Sequence, residues 1–162
     1  MKKNLSVVIL LLAGLVPSFH DSTTAARAQS KPAARVATLL EETGYSYSKA
    51  SDNVWVIAYE GKSLPKFNVI ATAHENVLVL FTIVAEKNNL KLTPDVIKRL
   101  LQLNGDLDRV KIGVDEDGDL FVRTDLSIRV LDGREMKENI EQVAAATDVV
   151  YAAVKSSLVN AK

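Results

Sequence analysis

Two stretches of this chain are apolar on both sides of a would-be strand. In NVWVIAYE, Asn53 to Glu60, one side carries Val54, Val56 and Ala58 and the other Trp55, Ile57 and Tyr59. In VLVLFTIVA, Val77 to Ala85, the side of Val77, Val79, Phe81 and Ile83 opposes Leu78, Leu80 and Val84. An antiparallel sheet with one wet face alternates apolar with polar residues, so a sheet built from these segments needs cover on its second face as well. Three segments with helical spacing are available to supply it, and the expectation is that the protein's own helices are divided between the two faces and cover most of this area. The other reading is that a second copy, or a partner's apolar segment, covers one face or an adjoining edge.

The remaining elements follow from periodicity. Ala33 to Thr43 places Val36, Leu39, Leu40 and Thr43 on one helical face, with Gly44 where a left-handed cap would end it. From Tyr45 the pattern changes to YSYSK, NVWVIAY, KFNVIATA and VLVLFTIVA, separated by turn-forming clusters, which reads as four successive antiparallel strands. Thr93-Pro94-Asp95 gives an N-cap, a proline at the first helical position and an acid in the first turn. A short second helix follows, ending before Gly105. Asp132 starts the last helix, with Glu135 three residues on as an acidic variant of a capping box. Its apolar residues recur from Met136 to Leu158, and Tyr151, Val154 and Leu158 are expected to outrun the sheet, free to meet a partner. The fold class is α+β: helix, four antiparallel strands, helix, β-hairpin, long C-terminal helix.

The predicted hairpin contains the one acidic cluster, VDEDGDLFVRTD, Val114 to Asp125. A helix-loop-helix calcium site needs oxygen ligands at positions one, three and five, glycine at six and a bidentate glutamate at twelve. Counting from Asp115, glycine falls at position four and leucine at twelve, and strand patterns flank the loop. A three-residue connection, Glu116-Asp117-Gly118, explains the segment better, with glycine supplying the positive φ. It sets Val114 opposite Leu120 and Ile112 opposite Val122.

The first residues read as an export signal: Lys2 and Lys3, an uncharged, largely apolar run from Leu5 to Val16, then a polar stretch ending in Ala26-Arg27-Ala28. The apolar run falls short of the roughly 18 residues a membrane span needs, so cleavage after Ala28 is expected rather than stable insertion. Residues 29–162 then form a single domain in the periplasm or beyond the cell. Without residues 1–28 the chain keeps 17 basic and 19 acidic residues, a net charge of −2, which does not favour nucleic acid as a partner.

There is no cysteine, which removes disulfides, thiolate metal sites and a cysteine nucleophile together. His74, in a predicted turn, is the only histidine left after the leader and cannot form a histidine metal cluster. The acids sit in predicted exposed turns, which do not separate the pKa values of a catalytic pair. No nucleophile elbow, phosphate-cradling glycine loop or zinc motif occurs. A non-enzymatic chain without cofactor or metal is therefore the expectation.

LNGDLDRVKIGVDEDGDLFVRTDL, Leu103 to Leu126, resembles the YbjN-like family, in which a helix ending near Leu-Asn leads into a strand, an acidic turn with glycine and a second strand. The element order over Ala33 to Leu158 is similar too. Members of the YbjN-like family are described as sensory transduction regulators, and the resemblance implies the fold of the type III secretion chaperones and a tendency to bind proteins, with no catalytic residues to carry over. Those chaperones are cytoplasmic dimers, and the export signal sets this chain apart from them. The expected function is an exported protein-binding or chaperone-like domain. It would act as a homodimer on a client in the cell envelope, with Trp55, Tyr59, Phe67 and Phe81 as candidate anchors. The alternative is a small-molecule or lipid carrier whose ligand lies in an unfilled pocket between the sheet and the long helix.

Overall fold

The computed structural model describes residues 31–159. The export signal expected over residues 1–28 lies outside them. Helix α1 runs from Lys31 to Thr43 and buries Ala33, Val36, Leu39, Leu40 and Thr43, the stripe its spacing predicts. Gly44, at φ +76°, ends it in the left-handed conformation that glycine adopts without a Cβ clash.

Four strands follow: β1 (Ser48–Ser51), β2 (Val54–Tyr59), β3 (Phe67–His74) and β4 (Val77–Ala85). The first starts three residues later than the Tyr45 expected from alternation. Tyr45 and Tyr47 instead pack their rings against the core in the connection from α1. His74 closes β3 rather than standing in the turn, which narrows to Glu75 and Asn76.

Helix α2 (Pro94–Asp106) has Thr93 as its cap, the hydroxyl accepting from Val96 N at 3.4 Å. It does not stop before Gly105 as expected. Leu107 N–H donates to the Leu103 carbonyl and ends the helix two residues later, so Gly105 is an ordinary helical residue. Strands β5 (Lys111–Val114) and β6 (Leu120–Ser127) form the hairpin in the expected register, with Ile112 opposite Val122 and Val114 opposite Leu120. Gly118 takes φ +92°. The loop acids serve the turn: Asp115 Oδ1 accepts from Asp119 N, and Asp119 Oδ1 accepts from Lys87 N, each at 2.8 Å.

Helix α3 (Gly133–Val154) begins where Asp132 accepts from Glu135 N at 2.7 Å. It ends at Val154, and the chain then folds back instead of outrunning the sheet. Leu158 pairs with Leu90 as an isolated bridge, and Val159 N donates to Asn89 O at 2.9 Å. Val154 is buried, and Tyr151 and Leu158 pack on the core, so these three are not a free extension.

The six strands form one antiparallel sheet in the order β1-β2-β3-β4-β6-β5. The last hairpin is therefore inverted relative to sequence: β6 pairs with β4, and β5 becomes an edge. One sheet face presents Trp55, Ile57, Val69, Ala71, Leu78, Leu80, Leu120 and Val122, all 0–1% exposed. Against them stand Val36, Leu39 and Leu40 of α1 and Met136, Ile140, Val143 and Val150 of α3, each fully buried. Helix α2 packs beside α3 and over β5, its Leu100 buried near Ile112 and Leu120 on this same side.

The helices are thus not divided between the two faces. All three cover one face, and among the described residues nothing covers the other. Alternation explains how the chain achieves this. Odd residues of β2 and β3 and even residues of β4 and β6 share the helix side, and their neighbours in sequence share the bare side.

Candidate functional site

The strand register lays out the bare face as a grid. One row crosses five strands, Val56–Ile70–Phe81–Arg123–Lys111. Beside it runs Val54–Thr72–Val79–Asp125, and on its other flank Ile83–Phe121–Gly113. β2 and β4 are apolar on this face and β3 adds Ile70 between Asn68, Thr72 and His74, whereas β6 and β5 bring Arg123, Asp125 and Lys111 beside Phe121 and Gly113. Val79, Phe81, Ile83 and Phe121 are half-buried, and Val77 is 40% exposed. A groove of about 510 Å³, open to solvent, runs over Thr72, His74, Val77, Val79, Phe81, Ile83 and Phe121, with Asp115 and Arg123 at its charged side.

Phe121 holds its place because its neighbour on β5 is glycine. A Cβ on Gly113 would stand 2.5 Å from Cζ of Phe121, so the ring lies across the edge strand where any other residue would lift it. The charged corner is ordered by Asp125. Lys111 Nζ and Arg123 Nε each donate to one of its carboxylate oxygens at 2.6 Å. Partial burial alone would raise the pKa of Asp125, but the hydrogen bonds and charges of Lys111 and Arg123 outweigh it and hold the carboxyl below its ordinary value.

The four candidate anchors fall in three places. Trp55 is 1% exposed, in the core beneath the helices. Tyr59 and Phe67 stack at 5.5 Å at the helix-side margin of the sheet, and Tyr45 joins them at 6.2 Å from Tyr59. Burial, a hydrogen bond with Tyr59 and another to Glu141 raise the pKa of the Tyr45 phenol. Only Phe81 lies on the bare face. Phe121, Ile83, Val79 and Arg123 join it there, unforeseen as site residues. The phase of β4 already placed Val79 and Ile83 with Phe81, whereas Phe121 and Arg123 required knowing that β4 pairs with β6.

Two other surfaces have structure of their own. On the β5 edge, Ile112 N–H is taken by Asn104 Oδ1 of α2 at 2.8 Å, and Ile97, Leu101 and Val114 around it are 45%, 68% and 45% exposed. On α3, Asp148 Oδ1 accepts from Ser63 N and Leu64 N at 2.7 and 2.9 Å, closing the β2–β3 loop. Among the described residues, no group of three or more His, Asp or Glu could hold a metal ion. The volume between the sheet and α3, where a carried ligand would lie, is occupied by Leu78, Leu80, Leu120, Val122, Met136 and Ile140, all 0% exposed.

A six-stranded antiparallel sheet with helices on one side and a bare apolar face defines an α+β fold of the type III secretion chaperone kind. A chain of the heterodimeric ExoU–SpcU complex from the type III secretion system of Pseudomonas aeruginosa is similar in structure, with a TM-score of 0.54 and 17% identity over 74% of this chain and 97% of that one. A chain of the HopA1–SchA chaperone–effector complex is similar at a TM-score of 0.55 and 14% identity, over 74% of this chain and 95% of that one. The crystal structure of YbjN from E. coli, described as "a putative transcription regulator", matches at a TM-score of 0.54 and 14% identity, over 76% of this chain and 91% of that one. The YbjN family model, described as "Putative bacterial sensory transduction regulator", matches residues 32–156. The chain belongs to the YbjN family. No curated protein matches its sequence.

Proposed function

We propose that this protein is an exported, non-enzymatic binding module that holds an apolar, extended segment of another protein on its bare sheet face. The observation that carries this reading is the placement of all three helices on one side, leaving Val79, Phe81, Ile83 and Phe121 without cover. Contiguous exposed apolar surface of this kind marks an interaction site more often than an ordinary surface. Chains of similar fold occur in solved heterodimeric and chaperone–effector complexes, which supports a protein occupant. The packed interior between sheet and α3 favours that occupant over a carried small molecule.

The leader-like sequence of residues 1–28 supports a location in the periplasm or outside the cell, with an envelope protein as the client. A second copy is proposed to dock along α2 and the β5 edge, where Ile97, Leu101 and Val114 are exposed. N-terminal sequencing of protein from the envelope fraction tests the leader, with a start at Gln29 expected. Native mass spectrometry of the same material tests the rest. A dimer that retains a second polypeptide, and loses it when Phe81 is replaced by Asp, is the expected result. A monomer with no partner, whose Phe81→Asp variant behaves identically, would sink the reading.

A further inference from the structure

The bare face changes character at β6. Along the row Val56–Ile70–Phe81–Arg123–Lys111 three apolar residues are followed by two cations. Among the described residues, Asp125 is the one carboxylate that pairs with these cations, and both its oxygens are already engaged. Arg123 reaches it through Nε alone. Its two Nη groups have no hydrogen-bond or ion-pair partner among the described residues, and 43% of its side chain is exposed. Directly across from it in β4 stands Phe81, and Phe121 is its neighbour two residues back on the same face.

The guanidinium is therefore fixed at one end by Asp125, and its fork is unused on a side chain that lines the groove. A fork of this kind accepts a carboxylate through paired, charge-assisted hydrogen bonds. The other carboxylate at the groove, Asp115, uses its Oδ1 to accept from Asp119 N and makes no ion pair with Arg123. His74 and Thr72 line the far end, on β3.

Resting on the protein-binding reading above, we infer that the occupant is an apolar extended segment carrying a carboxylate, an Asp, a Glu or a chain terminus, that meets the Nη groups of Arg123 while its apolar side chains lie over Phe81, Ile83 and Phe121. A fatty acid shares this chemistry. The peptide is favoured because the groove is a sheet face open to solvent, whereas a lipid tail needs a site that encloses most of its surface.

The test uses three labelled, end-capped hexapeptides, Leu-Thr-Val-Thr-Leu followed by Asp, Asn or Lys, titrated into the full domain at low salt by fluorescence anisotropy. The Asp peptide is expected to bind about fivefold tighter than the Asn peptide, the difference between a charged and a neutral hydrogen bond. The Lys peptide should bind weakest. Arg123→Gln should erase the Asp-over-Asn preference, bringing the Asp peptide down to the affinity of the Asn peptide, and Arg123→Lys should restore part of it. Equal binding of all three peptides, or a preference that survives in Arg123→Gln, would overturn the inference and leave the protein-binding reading standing. Absence of binding by every peptide, with Phe81→Asp making no difference, would remove both. Saturable binding of a fluorescent fatty acid to a face that takes none of the peptides, lost in Phe81→Asp, would overturn the inference and assign the site to a lipid.

Discussion

Leu80 and Phe81 are neighbours in β4 with opposite environments: Leu80 is 0% exposed beneath α3, while Phe81 looks out from the uncovered face. Stability and binding should therefore separate between adjacent residues. Leu80→Ala removes methyl groups from a closed core and should cost about 3 kcal/mol in urea unfolding. Phe81→Ser removes a ring that packs only against other surface residues and should cost about 1 kcal/mol or less, while abolishing retention of the partner. Comparable losses of stability from the two would mean that the second face is covered in solution by the protein itself.

The contact between Phe121 and Gly113 makes a second prediction. Valine suits a strand better than glycine, but its Cβ at position 113 would strike the Phe121 ring. Gly113→Val should therefore destabilise the domain by about 1–2 kcal/mol, and the same change in a Phe121→Ala background should cost much less. The coupling from the four unfolding midpoints checks the geometry. An additive pair would show that the ring does not lie across the edge strand.

Most of the fold was legible because it rests on local signals. Thr93 and Asp132 announce their helices as caps, Gly44 and Gly118 mark positive-φ positions, and the hairpin register follows from a three-residue loop between alternating strands. Pairing between elements distant in sequence was not legible. Nothing local states that β4 lies beside β6 rather than β5, yet that neighbour relation sets Arg123 opposite Phe81. Nor does alternation say which of two apolar faces the helices take. Leu78 and Leu80 against Val79 and Phe81 look equivalent as a pattern, and the choice depends on α1 and α3 matching one face. As a large aromatic, Trp55 suits an anchor and a core residue equally, and only its burial separates the two roles.

Gly105 shows the limit of local punctuation from the other direction. It has no positive φ, sits within α2, and a Cβ placed on it meets nothing within 4 Å. Gly105→Ala should then raise stability by about 0.5–1 kcal/mol, since alanine loses less backbone freedom in a helix. Thermal unfolding at fixed pH measures it. A lowered midpoint would place the end of α2 before Gly105, as its sequence first suggests.

Asp148 gives a pH-dependent prediction. Burial, the largest single influence, would raise its pKa, but the N–H groups of Leu64 and Ser63 and the charge of Lys62 together outweigh it and hold the carboxyl below its ordinary value. A carboxylate whose folded pKa is depressed contributes stability above its unfolded pKa, about 4, and loses it as pH falls through that value toward the folded one. Asp148→Ala should thus destabilise the domain at pH 7, and the gap from wild type should close as the pH is lowered below about 4. Gly61→Ala should resemble it at neutral pH by a different route, because a Cβ on Gly61 would collide with Asp148 Oδ1 and the Leu64 carbonyl. Urea denaturation across pH 3 to 7 distinguishes the two. The Asp148→Ala gap should shrink with acid, whereas the steric cost of Gly61→Ala persists in part after protonation, because the clash with the Leu64 carbonyl does not titrate. A pH-independent gap for Asp148→Ala would mean that its carboxylate does not tie α3 to the β2–β3 loop.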